Sequence, residues 1–165
     1  MSSNKDLLRI IGIDPGLGIT GYGIIDADFR KPLLREAGCI RIPKNQSFEK
    51  RLKYLYDEIN NLIKSFLPDV MVVEELYSHY NHPKTSIIMG HARGVIFLAA
   101  AVNGLNVKSF SANKIKMSLT GNGHSSKLQI QNMIKNRFSL DKLPEPPDVA
   151  DAIAAALCYC NTLNY

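Results

Sequence analysis

The chain has 165 residues, 45% of them hydrophobic and 21% charged, with a formal net charge of +5. That composition belongs to a globular protein with a full hydrophobic core, and one domain over residues 1–165 is expected. The longest apolar run, Gly94 to Val102, falls short of the ~18–20 residues of a membrane span. The polar start M-S-S-N-K-D lacks a signal peptide's apolar stretch, so a cytoplasmic location is expected. Cys39, Cys158 and Cys160 are odd in number with no C-x-x-C pair, which disfavours a thiolate metal site or a disulfide framework.

In chain order, Leu7 to Asp14 predicts a first strand, with Ile10, Ile11 and Ile13 as a β-branched run suited to a buried position. Asp14-Pro15-Gly16 ends it, placing a carboxylate on a rigid strand end. Gly18, Gly21 and Gly23 leave the following turn and strand bare, as the approach of a large anionic ligand to the backbone would require. Gly21 to Ala27 and Leu33 to Pro43 predict two more strands, and short connections make the three an antiparallel meander.

Ser47 is the expected cap of a helix to about Phe66, whose apolar stripe runs through Leu52, Leu55, Tyr56, Ile59, Leu62, Ile63 and Phe66. Asp69 to Leu76 predicts a fourth strand, Ser86 to Asn103 an apolar helix, and Asn106 to Ser111 a fifth strand. Gly90 and Gly94 are read as sites of close core packing in that helix. Helices follow over Asn113 to Leu119, Lys127 to Phe138 and Asp148 to about Leu163. The order describes an α/β domain with a mixed five-stranded sheet flanked by helices.

Four carboxylates stand out. A right-handed crossover lays the fourth strand parallel to the first, bringing Asp14 and one of Glu74 and Glu75 to the same sheet end. Glu74 is favoured because it comes first after the buried run Val70 to Val73. Asp148 and Asp151, at i and i+3, share one face of the last helix's first turn. Helix capping accounts for Asp148 alone, but a second acid one turn in adds repulsion that a cation relieves. Oxygen-only ligands select magnesium, or manganese, over zinc. Two such ions can activate a water and stabilise the leaving oxygen of a phosphodiester.

The complement is basic. From Leu76 to Leu140 there is no Asp or Glu, but there are Lys84, Arg93, Lys108, Lys114, Lys116, Lys127, Lys135, Arg137 and all four histidines. An acid-free segment of that length suggests a face for nucleic acid, with a solvated surface as the ordinary alternative. Carboxylates would hold the metal and lysines the strand. The pairing points to a metal-dependent nuclease. Tyr77, three residues past Glu74, could stack on an unpaired base or equally be a half-buried loop tyrosine, Lys116 and Lys127 most simply contact phosphates, and His124 is a candidate DNA contact.

The stretches I-I-G-I-D-P-G-L-G-I-T-G-Y-G, P-D-V-M-V-V-E-E-L-Y, G-H-A-R-G-V and P-P-D-V-A-D-A-I-A-A-A-L resemble the RuvC family of bacterial Holliday-junction resolvases, in order from about Leu8 to Cys160. The resemblance implies an RNase H-like fold, a homodimer and magnesium-dependent paired nicking of a four-way junction. It also implies that the family's acidic positions fall on Asp14, Glu74, Asp148 and Asp151, its central aromatic on Tyr77, and its important basic positions on Lys116 and Lys127. The branch-migration proteins RuvA and RuvB are candidate partners. A non-catalytic nucleic-acid-binding module and an RNase H-type ribonuclease are the alternatives on the same fold. An actin-like ATPase would need a second domain that 165 residues leave no room for.

Overall fold

Three strands, then alternating helices and strands, then three helices make up the chain in a computed structural model that describes residues 7–28, 31–76 and 83–163. The elements are β1 (Leu8–Asp14), β2 (Ile19–Ala27), β3 (Leu33–Arg41), α1 (Phe48–Phe66), β4 (Val70–Glu74), α2 (Pro83–Val102), β5 (Asn106–Phe110), α3 (Ala112–Thr120), α4 (Lys127–Phe138) and α5 (Pro147–Thr162). The sheet order is β3-β2-β1-β4-β5. β1, β2 and β3 form the expected antiparallel meander, and β4 joins β1 in parallel with β5 outside it.

Side-chain alternation splits the core into two layers. Ile10, Ile25, Val70 and Val72 pack with Ile130, Ile134 and Ile153 on the α4–α5 side. Ile11, Ile13, Ile24, Met71 and Val73 pack with Leu55, Ile59, Ala92 and Ile96 on the α1–α2 side. The same period of two turns Asp14 and Glu74 toward α5.

α5 lies very close on the sheet. A Cβ on Gly12 would run into the Ala152 carbonyl oxygen, one on Gly21 into the Asp148 carbonyl, and one on Gly23 into Ile153. The bare backbone therefore receives a helix and not a ligand, which corrects the expectation for Gly21 and Gly23. Gly18, by contrast, has open space beside it. The run Ala152 to Ala156, with Ile153, is buried throughout, so α5 is enclosed almost all round.

Two local expectations also change. Ser47 holds the N-cap position of α1, but its hydroxyl bonds the Glu49 carboxylate and makes no capping bond to the helix backbone. Among the described residues α2 is long and apolar enough to span a membrane by length and composition, contrary to the count made from Gly94. Arg93 and His91 interrupt the apolar run in sequence, but the whole helix carries only Lys84 and Arg93 as charges. Ala92, Ile96, Ala99 and Ala100 bury one stripe of α2. Only 22% of its apolar window is buried, however. Gly94 has nothing within 4 Å and Gly90 meets only Leu76, so neither glycine serves the core packing expected of it.

Gly12→Ala is expected to destabilise the fold by about 1–3 kcal/mol or more, since backbone and not a flexible side chain must give way. Chemical denaturation measures this. An unchanged midpoint would show that α5 does not depend on that contact.

Candidate active site

Asp14 ends β1 because Pro15 cannot donate to the ladder and Gly16 begins a turn. The turn is pinned from three directions. Buried Thr20 accepts from the Gly16 N–H at 3.1 Å and donates to the Gly16 carbonyl at 2.6 Å. The Ile42 N–H donates to the Gly18 carbonyl at 3.0 Å. Arg51, on α1, donates from Nη2 to the Leu17 carbonyl at 2.6 Å. Its Nε is buried without a partner, which leaves this guanidinium incompletely satisfied. Thr20 lies inside the glycine-rich stretch after Asp14 and Arg51 in no motif, and nothing in the sequence marks either side chain as a partner of this turn.

β1 and β4 pair in parallel with Ile13 opposite Val73, so the next residues, Asp14 and Glu74, stand side by side. Glu75 is exposed, and its N–H is spent on the Phe110 carbonyl. From above, α5 presents Asp148 and Asp151. Asp148 follows Pro147 at the helix start, and the N-cap residue, Pro146, makes no side-chain capping bond. The helix dipole favours Asp148 in this first turn, and Asp151 lies one turn further in.

These side chains lie close enough for their charges to act on one another. Burial first, then the charges of Glu74, Asp151 and Asp148, push the Asp14 carboxyl up to about 8, with Lys127 opposing. Burial and Asp151 raise Glu74, against Lys116 and Lys127. Burial raises Asp151 as well, with Lys127 as the main opposing charge and Asp148 adding to the rise. Lys127 Nζ lies 3.7 Å from Asp151 Oδ2. With 69% of the lysine side chain exposed, that pair is worth at most about 1 kcal/mol and yields readily to another anion.

Among the described residues no three His, Cys, Asp or Glu side chains already enclose one point closely enough to hold an ion. The donor set is nevertheless all oxygen, partly buried and short of positive charge, which suits a hard divalent cation.

The remaining cations are scattered. Lys84 is exposed in the first turn of α2, and His124 is exposed in the turn before α4, its N–H donating to Asn122 Oδ1. Lys114 lies 4.7 Å over the Phe110 ring. Arg93 donates to Ser109 Oγ at 2.9 Å and weakly to the Glu74 carbonyl, with its guanidinium over Phe97. Tyr77, His79 and His82 lie outside the described residues.

The family model for RuvC, crossover junction endodeoxyribonuclease, matches residues 10–159. Crossover junction endodeoxyribonuclease RuvC of Rhodopirellula baltica is 44% identical over 149 residues, covering 90% of this chain and 84% of the relative. The protein of that name from Thermosipho melanesiensis is 43% identical over 151 residues, covering 92% and 96%. Among solved structures, Thermus thermophilus RuvC superposes with a TM-score of 0.85 at 24% identity, covering 94% of this chain and 95% of that one. The same protein in complex with Holliday junction substrate gives 0.84 at 22% identity, covering 94% of each. The mixed sheet flanked by helices is thus the RNase H-like fold, and the chain belongs to the RuvC family of crossover junction endodeoxyribonucleases.

Proposed function

We propose that this chain resolves four-way DNA junctions by paired symmetric nicks, hydrolysing the phosphodiester in recombination and repair. The observation that carries the proposal is the convergence of four carboxylates and two lysines on one sheet end, in a chain of this family. Asp14, Glu74, Asp148 and Asp151 would hold magnesium, two ions per site, with manganese able to replace it. When bound, such ions lower the pKa of water and neutralise charge on the phosphodiester.

The protein's own groups do the rest. Strand ends and the seated helix hold the backbones of the four acids at one end of the sheet, and their side chains would close on a cation as it binds. Lys127 exchanges its weak pairing with Asp151 for a substrate phosphate, and Lys116, on α3, serves the same strand. Lys84, Lys114 and His124 are proposed as further DNA contacts. Arg93 would have to leave Ser109 and Phe97 to join them. Tyr77 is proposed to stack on a base at the junction, an interaction worth about 1–3 kcal/mol.

Two nicks of like polarity need two centres, and a second copy of the chain is proposed to supply the other. Its seat is the uncovered side of α2, where Leu52, Ile87, Gly90, His91, Gly94, Val95 and Leu98 line a groove of about 450 Å³. Ile87, Leu98 and Val102 are 61%, 55% and 63% exposed, more apolar surface than a lone helix ordinarily leaves to water. Work in the cytoplasm alongside RuvA and RuvB completes the proposal.

Cleavage of a synthetic four-way junction, a matched duplex and an RNA–DNA hybrid, each with magnesium or chelator, tests it. Symmetric nicks in the junction alone are expected, absent with chelator and with Asp14→Asn. Lys127→Ala is expected to lose about 10²-fold in rate, as removal of one transition-state donor does. Cutting of the hybrid alone would point to a ribonuclease, and junction binding without cutting under any metal would leave a binding module.

Proton linkage gives a separate test. Asp14 has a folded value of about 8 against 3.8 for a free carboxyl, so its contribution to stability is full below 3.8 and gone above about 8. Metal-free protein should therefore lose melting temperature as pH rises toward 8, less so in Asp14→Asn. Magnesium should restore it, by about 2.7 kcal/mol at a hundredfold excess over the dissociation constant. The gain should grow with pH. Equal magnesium stabilisation of wild type and Asp14→Asn would remove Asp14 from the metal site.

A further inference from the structure

Beside the acidic cluster, toward β3, lies a cavity of about 580 Å³ lined by Arg41, Gln131, Glu145, Pro146 and Pro147. It adjoins the site directly, since Pro147 precedes Asp148 in the first turn of α5. Arg41 is the last residue of β3 and pairs with Ile19. The pairing row through the site runs from Cys39 to Gly21 to Asp14, so Arg41 stands two residues past that row at the same sheet end. Strand geometry puts its Cα about 10 Å to the side of Asp14 and about 7 Å beyond it.

Its chemistry is unlike that of the other arginines near the sheet. Arg9 and Arg35 are tied to Asp26, Arg51 to the Leu17 carbonyl, and Arg93 to Ser109. Arg41 is exposed and, among the described residues, its side chain makes no hydrogen bond, ion pair or ring contact. The cavity wall behind it is firm, because buried Gln131 donates from Nε2 to the Pro144 carbonyl at 2.9 Å.

A strand lying across a nuclease centre continues in both directions from the phosphate that is cut. Lys116 stands on the helix that follows β5, at one edge of the sheet, while β3 forms the opposite edge. On the β3 side a polyanion leaving the site passes the carboxylates of α5 with Arg41 as the cation of that cavity. We propose that Arg41 binds a phosphate of the substrate strand within a nucleotide or two of the one that is cut, on the β3 side of the centre. The inference rests on the nuclease reading above. Glu145, exposed on the same wall, opposes an anion there, so the two side chains should act with opposite signs.

Equilibrium binding of the full chain to an immobile four-way junction, without magnesium, tests this across salt concentrations. Arg41→Ala should bind more weakly and flatten the log–log salt slope by about one, and Glu145→Gln should bind more tightly. Single neutral methylphosphonates, placed singly at one to three nucleotides either side of the cut, locate the contact. One of them should weaken wild type but not Arg41→Ala or Arg41→Gln, with melting temperatures unchanged. Equal losses in wild type and variants at every position, or an unchanged slope, would overturn the role of Arg41 while normal cutting leaves the nuclease reading intact. A wild type that neither binds nor cuts the junction would overturn both.

Discussion

Everything at the candidate site depends on how closely α5 lies on the backbone of β1 and β2. Gly12, Gly21 and Gly23 present no Cβ to it, and its own contact residues include Ala152 and Ala156. Aspartate is short, so Asp148 and Asp151 can share a site with Asp14 only if the helix itself comes down onto the sheet. The burial of an almost wholly apolar helix drives that approach, and the charges oppose it. Holding Asp14 ionised in this setting costs on the order of 5 kcal/mol, a large share of a domain's net stability of about 5–15 kcal/mol. A proton on Asp14, or a cation bound at the cluster, would relieve that cost.

Much of this was legible in the residues. The β-branched run ending in Asp14, the apolar run ending in Glu74 and the i, i+3 pair on α5 each declare their element and their face. Alternation then selects Glu74 over Glu75, because Val70 and Val72 share the α5 side while Met71 and Val73 face α1 and α2. The glycines were harder. A bare backbone serves a ligand or a packed helix equally well in sequence, and only the tertiary contact of α5 decides. Thr20 and Arg51 were not legible at all, since their partners are backbone groups of a turn 4 and 34 residues away.

The acid-free segment shows what charge counting can and cannot say. Its cations are distributed over α2, β5, α3 and α4. Among the described residues Lys116 and Lys127 act on the carboxylates, Arg93 and Lys114 lie against aromatic rings, and Arg41 comes from a different part of the chain. Glycine in α2 was likewise ambiguous. The groove beside Gly94 became visible only once the opposite stripe of the helix was accounted for.

Anomalous scattering from crystals grown with manganese tests the central claim most directly, because it locates the cation without relying on turnover. The account predicts manganese bound among Asp14, Glu74, Asp148 and Asp151, and lost in Asp14→Asn. Manganese absent from that sheet end, or bound there without contact to α5, would contradict it.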